Sequence, residues 1–251
     1  MQILLTNDDG IYADGIYAIY TELKKFAEVV VVAPESQRSS VGHGITLSHP
    51  IYSKRVKHKG EFFGHAISGT PADCVKFGVS VILKKKPDLV ISGINLGDND
   101  GCSVFYSGTV AGAREGALLD VPSMALSLAT FEDEVDFSPA AKYGAKLAKI
   151  LFQNKLPPRT FLNVNIPNLS TSKIKGIKFT RQGIDPIHSS FKKRFDPSLR
   201  EYYWMTGKFP INKKDLTFDT YALREGYVTV TPIMSDSTDD FSLKHLNDWK
   251  I

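Results

Sequence analysis

The sequence predicts an α/β protein: a three-layer, Rossmann-like, mostly parallel sheet with a C-terminal β-rich extension. Three observations carry this expectation. The short apolar run Ile3-Leu4-Leu5 stops at Asn7-Asp8-Asp9-Gly10. From Asp14, apolar residues recur at Ile16, Ile19, Tyr20, Leu23 and Phe26, the spacing of a helix with one buried face. Val29 to Ala33 is then a continuous apolar run closed by Pro34, as a strand buried on both faces requires. Strand, helix, strand at this spacing is a βαβ unit, and such units build parallel sheets.

The remaining elements follow in order. Asp14 is placed to cap the first helix. A polar loop from Glu35 to Gly44 leads to an extended stretch expected from Ile45 to Val56. Ser68-Gly69-Thr70-Pro71-Ala72-Asp73 opens a second helix, with Thr70 as cap, Pro71 in the first turn and Asp73 three after the cap. Capping therefore explains Asp73 better than catalysis does. Lys84-Lys85-Lys86-Pro87 closes a helix, since cations suit its carboxyl end and proline forbids continuation. Leu89-Val90-Ile91 is the next buried strand, ending at Ser92-Gly93-Ile94-Asn95. A helix from Val110 to Leu119 carries Ala111, Gly112, Ala113, Gly116 and Ala117, which let it approach the sheet closely.

Ser138-Pro139 starts a further helix running to about Phe152. Phe161 to Ile166 and Tyr227 to Thr231 alternate like strands. Between them, residues 182 to 215 carry Phe191, Phe195, Tyr202, Tyr203, Trp204 and Phe209 among many charges, without clean periodicity. So many aromatics suggest either an arm against another subunit or an irregular lid. Residues 1–135 are expected to form the α/β core with the site. Residues 136–251 are expected to complete the sheet and carry an oligomerisation arm at about 182–215.

Composition narrows the function class. The 251 residues are 42% hydrophobic, enough for a large core, and no apolar stretch reaches membrane-spanning length. The N-terminus shows no basic leader, so a cytoplasmic location is expected. Cys74 and Cys102 are too few for a disulfide scaffold and are expected to be reduced thiols. A net charge of +4 suits an anionic small substrate.

In open α/β sheets, ligands bind at the carboxyl ends of strands. Asp8 and Asp9 follow the first strand, Ser39 lies in the loop after the second, and Asn95 ends the Leu89–Ile91 strand. All four offer oxygen, which suits a hard divalent cation, Mg²⁺ or Mn²⁺. Adjacent acids on a strand point apart, so one cation takes both only where the chain turns, and Gly10 permits a turn. Ser107-Gly108-Thr109 opens a helix and reads as a phosphate cradle of free backbone N–H groups. It reads equally as an ordinary serine N-cap. Asn99, in the preceding glycine-rich loop, adds an amide donor. His43, a lone loop histidine, stays outside the catalytic set.

These segments carry a resemblance. Leu5-Thr6-Asn7-Asp8-Asp9-Gly10-Ile11, Arg38-Ser39-Ser40, Ser68 to Val75, the Ser92 to Gly101 loop and Tyr106-Ser107-Gly108-Thr109-Val110 resemble the SurE family of stationary-phase survival nucleotidases. Gly226 to Pro232, followed by Asp236 and Thr238, extends the likeness over nearly the whole chain. The resemblance implies a phosphohydrolase with one divalent metal cation, acting on nucleoside 5′- and in some members 3′-monophosphates. By that resemblance Asp8, Asp9, Ser39 and Asn95 hold the metal, while Asn99, Ser107, Gly108 and Thr109 hold the phosphate. It further implies a homodimer or homotetramer with exchanged C-terminal elements, while composition and charge pattern point to no membrane or specific nucleic-acid partner. This chain departs at Asp14, where the family often has proline, at Asp98 for a small residue and at Arg114 for an apolar one.

Three rival functions fit the sequence less well. A receiver-like phospho-acceptor needs an aspartate where Asn95 stands, and a far shorter chain. A haloacid-dehalogenase-like phosphatase needs Asp-x-Asp. A nucleic-acid binder needs a basic face interleaved with aromatics, hinted at only over residues 191 to 204. The expected chemistry is attack by metal-activated water, with Asp8 or Asp9 as proton acceptor.

Overall fold

The computed structural model describes residues 1–132, 134–186, 188–208, 210–211, 214–246 and 248–249. Its strands are β1 (Gln2–Thr6), β2 (Glu28–Pro34), β3 (Ser53–His58), β4 (Glu61–Ile67), β5 (Leu89–Leu96), β6 (Ser123–Ala129), β7 (Thr160–Pro167), β8 (Ile177–Phe179), β9 (His188–Phe195), β10 (Glu201–Lys208) and β11 (Val228–Met234). Its helices are α1 (Asp14–Leu23), α2 (Pro71–Phe77), α3 (Gly108–Leu118), α4 (Ser138–Gln153), α5 (Asp219–Arg224) and α6 (Asp240–Leu246). Nine strands form one sheet in the order β3-β4-β2-β1-β5-β6-β7-β11-β8. The central run from β4 to β7 is parallel, while β3 and β11 join antiparallel to β4 and β7. The predicted α/β class holds.

Strand periodicity explains the layers. Successive side chains on β1 point to opposite faces. Ile3 and Leu5 join the apolar cluster that takes Ile16, Ile19 and Leu23 of α1 with Ala148 and Leu151 of α4. Leu4, between them, joins Cys74 and Val75 of α2 on the other face. All three β1 side chains are fully buried, each contributing roughly 1.5–3 kcal/mol of apolar transfer. On that second face α3 lies close to the sheet because of its small residues. A Cβ on Gly112 would stand 2.7 Å from Ser92 Oγ and 3.1 Å from Thr6 Cγ2.

Several local expectations change. Asp14 does not cap α1: it is the first helical residue, and the N-cap is Ala13, which makes no side-chain cap hydrogen bond. The stretch expected from Ile45 to Val56 pairs only from Ser53, as the first arm of a β3–β4 hairpin. Within the expected irregular stretch, β9 and β10 form a regular antiparallel hairpin. Both faces of that hairpin are solvent-exposed, so neither carries the apolar–polar alternation that marks a half-buried strand. Phe209 lies outside the described residues. Both cysteines are free thiols, and Thr70 and Asp73 form the expected capping box on α2.

Candidate active site

The sheet order fixes where a site belongs. From β1 the chain moves outward to β2 and β4, then returns to the other side of β1 as β5. The carboxyl ends of β1 and β5 therefore flank a topological switch point, where an open α/β sheet has its crevice.

Asp8 and Asp9 sit there, on the turn after β1. Asn7 Nδ2 donates to the Gly10 carbonyl at 2.8 Å, and Gly10 adopts φ +97°, so the chain folds back immediately after the acids. The Asp8 carbonyl accepts the Arg38 N–H at 2.7 Å. Its carboxylate accepts the Thr109 hydroxyl from the first turn of α3. Asp9 Oδ2 instead accepts the Leu96 N–H at 3.1 Å, and Oδ1 takes a long 3.5 Å contact from Gln37. Neither carboxylate caps α1.

Asp8 is only 4% exposed. Burial pushes its carboxyl up to about 6, helped by the neighbouring charge of Asp9 and opposed by the Thr109 hydrogen bond. Burial also raises Asp9, against the pull of the Leu96 N–H. No Lys or Arg charge lowers either group. Asn95, partly buried at the end of β5, spends its Nδ2 on the Gly97 carbonyl at 2.7 Å, leaving Oδ1 as its free acceptor. Two carboxylates after β1 and one amide oxygen at the end of β5 are oxygen donors of the kind a hard divalent ion takes. Among the described residues no cluster of three His, Cys, Asp or Glu offers another.

Ser39 is exposed, on a turn whose next residue, Ser40, has φ +57°. The Arg38–Asp8 hydrogen bond keeps it one residue from the acids. The loop bearing it is strapped down. Arg38 Nη2 donates to the Ser68 carbonyl at 2.9 Å, and the Gly42 N–H to the Tyr106 carbonyl at 2.9 Å. Thr46 gives Asp73 both its N–H (3.0 Å) and its hydroxyl (2.6 Å). His43 Nε2 lies 2.8 Å from Glu115 Oε2 on α3, whose Oε1 meets Lys76 Nζ of α2 at 2.6 Å. Burial pushes Glu115 up, but these two partners outweigh it and hold the carboxyl below its ordinary value. Sequence reading gives Arg38 no role beyond its place in the Arg38-Ser39-Ser40 motif and does not single out Glu115. A glutamate within a helix of small residues was the signal for the latter.

The amino end of α3 faces the acids. Ser107 is its N-cap, the hydroxyl accepting the Val110 N–H at 3.0 Å, so the capping alternative is realised. That leaves the Gly108 N–H at the start of an eleven-residue helix, while the Thr109 N–H lies against the Asp8 carboxylate. A Cβ on Gly108 would stand 2.9 Å from Asp8 Cβ and 3.2 Å from the Arg38 carbonyl, so only glycine allows the helix this close. Asn99 is turned inward: its Nδ2 donates to Ser127 Oγ at 2.9 Å and its carbonyl accepts from Asn163 Nδ2 at 2.7 Å. Asn165 Oδ1 takes its N–H at 2.8 Å. Asn163 and Asn165, the polar face of the alternating strand β7, are fully buried where they hold Asn99.

With that geometry established, likeness to known proteins becomes informative. A family model described as Survival protein SurE matches residues 3–189. The chain belongs to the SurE family. A "5'-nucleotidase SurE" of Syntrophobacter fumaroxidans is 44% identical over 251 residues, covering 100% of both chains. Another of that name, from Chlorobaculum tepidum, is 45% identical and covers 98% of this chain and 94% of its own. The crystal structure of the SurE protein from Aquifex aeolicus superposes with a TM-score of 0.84 at 41% identity, covering 99% of this chain and 100% of that one. The SurE likeness thus embraces both the crevice and the strands that complete the sheet.

Proposed function

We propose that this SurE protein is a nucleoside 5′-monophosphate phosphohydrolase that depends on one divalent cation, Mg²⁺ or Mn²⁺, and also accepts 3′-monophosphates. The observation that carries the reading is Asp8, buried against the amino end of α3 across a Gly108 contact that excludes any side chain, with Asp9 beside it on the same turn and held to the end of β5. The names of its SurE relatives support it.

Asp8, Asp9, Ser39 and Asn95 would hold the cation, which when bound supplies charge to the phosphoryl oxygens and acidifies water. The chain's own groups do the rest. The Gly108 N–H and the helix dipole bind the phosphate oxygens, and the Thr109 N–H would join them on release from Asp8. Ser107 fixes the first turn, and Asn99, turned toward β6 and β7 and not toward the α3 terminus, ties the preceding loop to the sheet. Thr109 orients the Asp8 carboxylate, and Asp8 or Asp9 receives the proton of the attacking water. Hydrolysis of AMP, CMP, GMP and UMP, assayed after exhaustive chelation and again with Mg²⁺ or Mn²⁺ restored, tests the reading. Activity should vanish and return, and full activity without metal would sink it.

A further inference from the structure

We infer that a cavity at the amino ends of β6 and β7 is a binding site for a small organic anion with an apolar body, an inference independent of the nucleotidase reading. The cavity measures about 310 Å³ and lies between the two connections that enter these neighbouring parallel strands. Val121 and Pro122 lead from α3 into β6, while Lys155 to Arg159 lead from α4 into β7. The acids of the crevice follow the carboxyl end of β1, and β1, β5, β6 and β7 all run parallel. Cavity and crevice therefore stand at opposite ends of the strands. Ligand pockets start at roughly 300 Å³, so this space takes one small molecule.

The walls define the chemistry of that molecule. Ala117, Val121, Pro122, Leu156, Pro157 and Pro158 supply apolar surface, and the three prolines keep it rigid. Most carbonyls among them are already spent. Ala117 accepts the Asp120 N–H at 3.1 Å, Val121 the Ser123 hydroxyl at 2.7 Å, Pro122 the Val90 N–H at 3.0 Å and Pro157 the Thr160 N–H at 3.2 Å. Asp120 is the one carboxylate in the lining, and Lys86 Nζ stands 3.6 Å from it. A cationic or donor-rich ligand thus finds few acceptors here. Lys155 and Arg159 line the same space, and neither makes an ion pair with a described residue. Arg159 draws down the carboxyl of exposed Asp236, but less than the Thr238 hydrogen bonds do. An anion between these two cations meets its complement, with its apolar body against the prolines. The backbone supplies a second, independent observation. Arg159 holds φ +57° at the centre of the turn closed by the Pro157–Thr160 hydrogen bond. Glycine or asparagine adopts that conformation more readily than arginine. A long cation therefore stands at the cavity against the preference of its own backbone.

Calorimetry of the full chain with 1-naphthoate, 1-naphthylmethanol and 1-naphthylmethylammonium tests the site with one ring system in three charge states. Naphthoate should bind once per chain, about tenfold or more tighter than either analogue, the scale of hydrogen bonds to a charged group. Arg159→Gly should weaken naphthoate about tenfold without lowering the melting temperature, because glycine suits the turn. Lys155→Met should weaken it similarly. Lys57→Met on β3, and Gly108→Ala in the crevice, should each leave naphthoate affinity unchanged. Equal affinity for the carboxylate and the ammonium overturns the inference, as does a naphthoate affinity unmoved by Arg159→Gly. Loss of binding in Gly108→Ala would also overturn it, by placing naphthoate in the crevice. Turnover enters none of these measurements, so their failure would leave the proposed hydrolysis standing.

Discussion

Asp8 and Asp9 stand next to each other in sequence yet face different partners, Thr109 of α3 and the Leu96 N–H at the end of β5. Losing either charge should abolish most turnover. Asp8→Asn and Asp9→Asn are each expected to lower kcat by about 10³-fold, as when a group stabilising transition-state charge is removed. Neither should lower the melting temperature much, because both residues lie outside the apolar clusters. Circular dichroism beside steady-state kinetics checks both halves. Asp73 is the contrasting carboxylate. Burial pushes it up, but hydrogen bonds from Thr46 and Thr70 outweigh this and lower it overall. A depressed acid contributes stability that is complete above its unfolded value and is lost as pH falls through the folded one. Melting from pH 6 down to 2 should therefore show an acid-side loss below pH 4 that is smaller in Asp73→Asn. That variant should lose about 1 kcal/mol at neutral pH with its cap and keep its turnover.

Among the elements, α3 is built to come close and stay close. Gly112 meets the sheet, Gly108 meets Asp8, and Glu115 ties the helix to the Ser39 loop through His43. Gly108→Ala should reduce kcat/KM by at least about 10²-fold, since displacements near 1 Å at a site can have that effect. Near-normal kinetics in that variant would mean that the α3 terminus does not touch substrate. His43→Ala would leave the buried Glu115 with Lys76 alone. It should destabilise the protein by about 1–3 kcal/mol and weaken Mn²⁺ binding measured by calorimetry. His43→Gln, which keeps an N–H donor, should recover part of both.

For the whole molecule, the conspicuous unpartnered surface is the β9–β10 hairpin, with Phe191, Tyr203, Trp204 and Met205 more than half exposed. Phe191 and Met205 pair directly across the hairpin, and Trp204 pairs with Lys192 on the other face. A two-stranded ribbon is marginal alone in water, which favours the oligomer arm over a free-standing lid. Replacing Tyr202, Tyr203 and Trp204 by serine should shift the protein toward monomer in sedimentation velocity. Unchanged assembly with impaired catalysis would favour the lid. No helix among the described residues is long and apolar enough to cross a membrane.

The α/β class, the βαβ start, the α2 capping box and the helix at Gly108 were legible in the sequence because each rests on local periodicity or on a side chain reaching its own backbone. The candidate donors were legible for a related reason: they punctuate strand ends, where polar residues interrupt apolar runs. What sequence could not supply is anything defined between distant segments. The β5–β1–β2 switch point requires the strand order, and the inward turn of Asn99 requires Ser127 and Asn163 to meet it. The His43–Glu115–Lys76 bridge joins three elements that no spacing connects. Asp14 was misread as a cap because an acid at a helix start suits the dipole equally at the cap or one position later. The β9–β10 hairpin was missed because a ribbon exposed on both faces leaves no alternation to read. Sequence by itself determined the fold class and which polar residues stand at the strand ends and at the start of α3. Only the tertiary structure decided which way each side chain turns, since hydrogen-bond partners far apart in the chain make that choice.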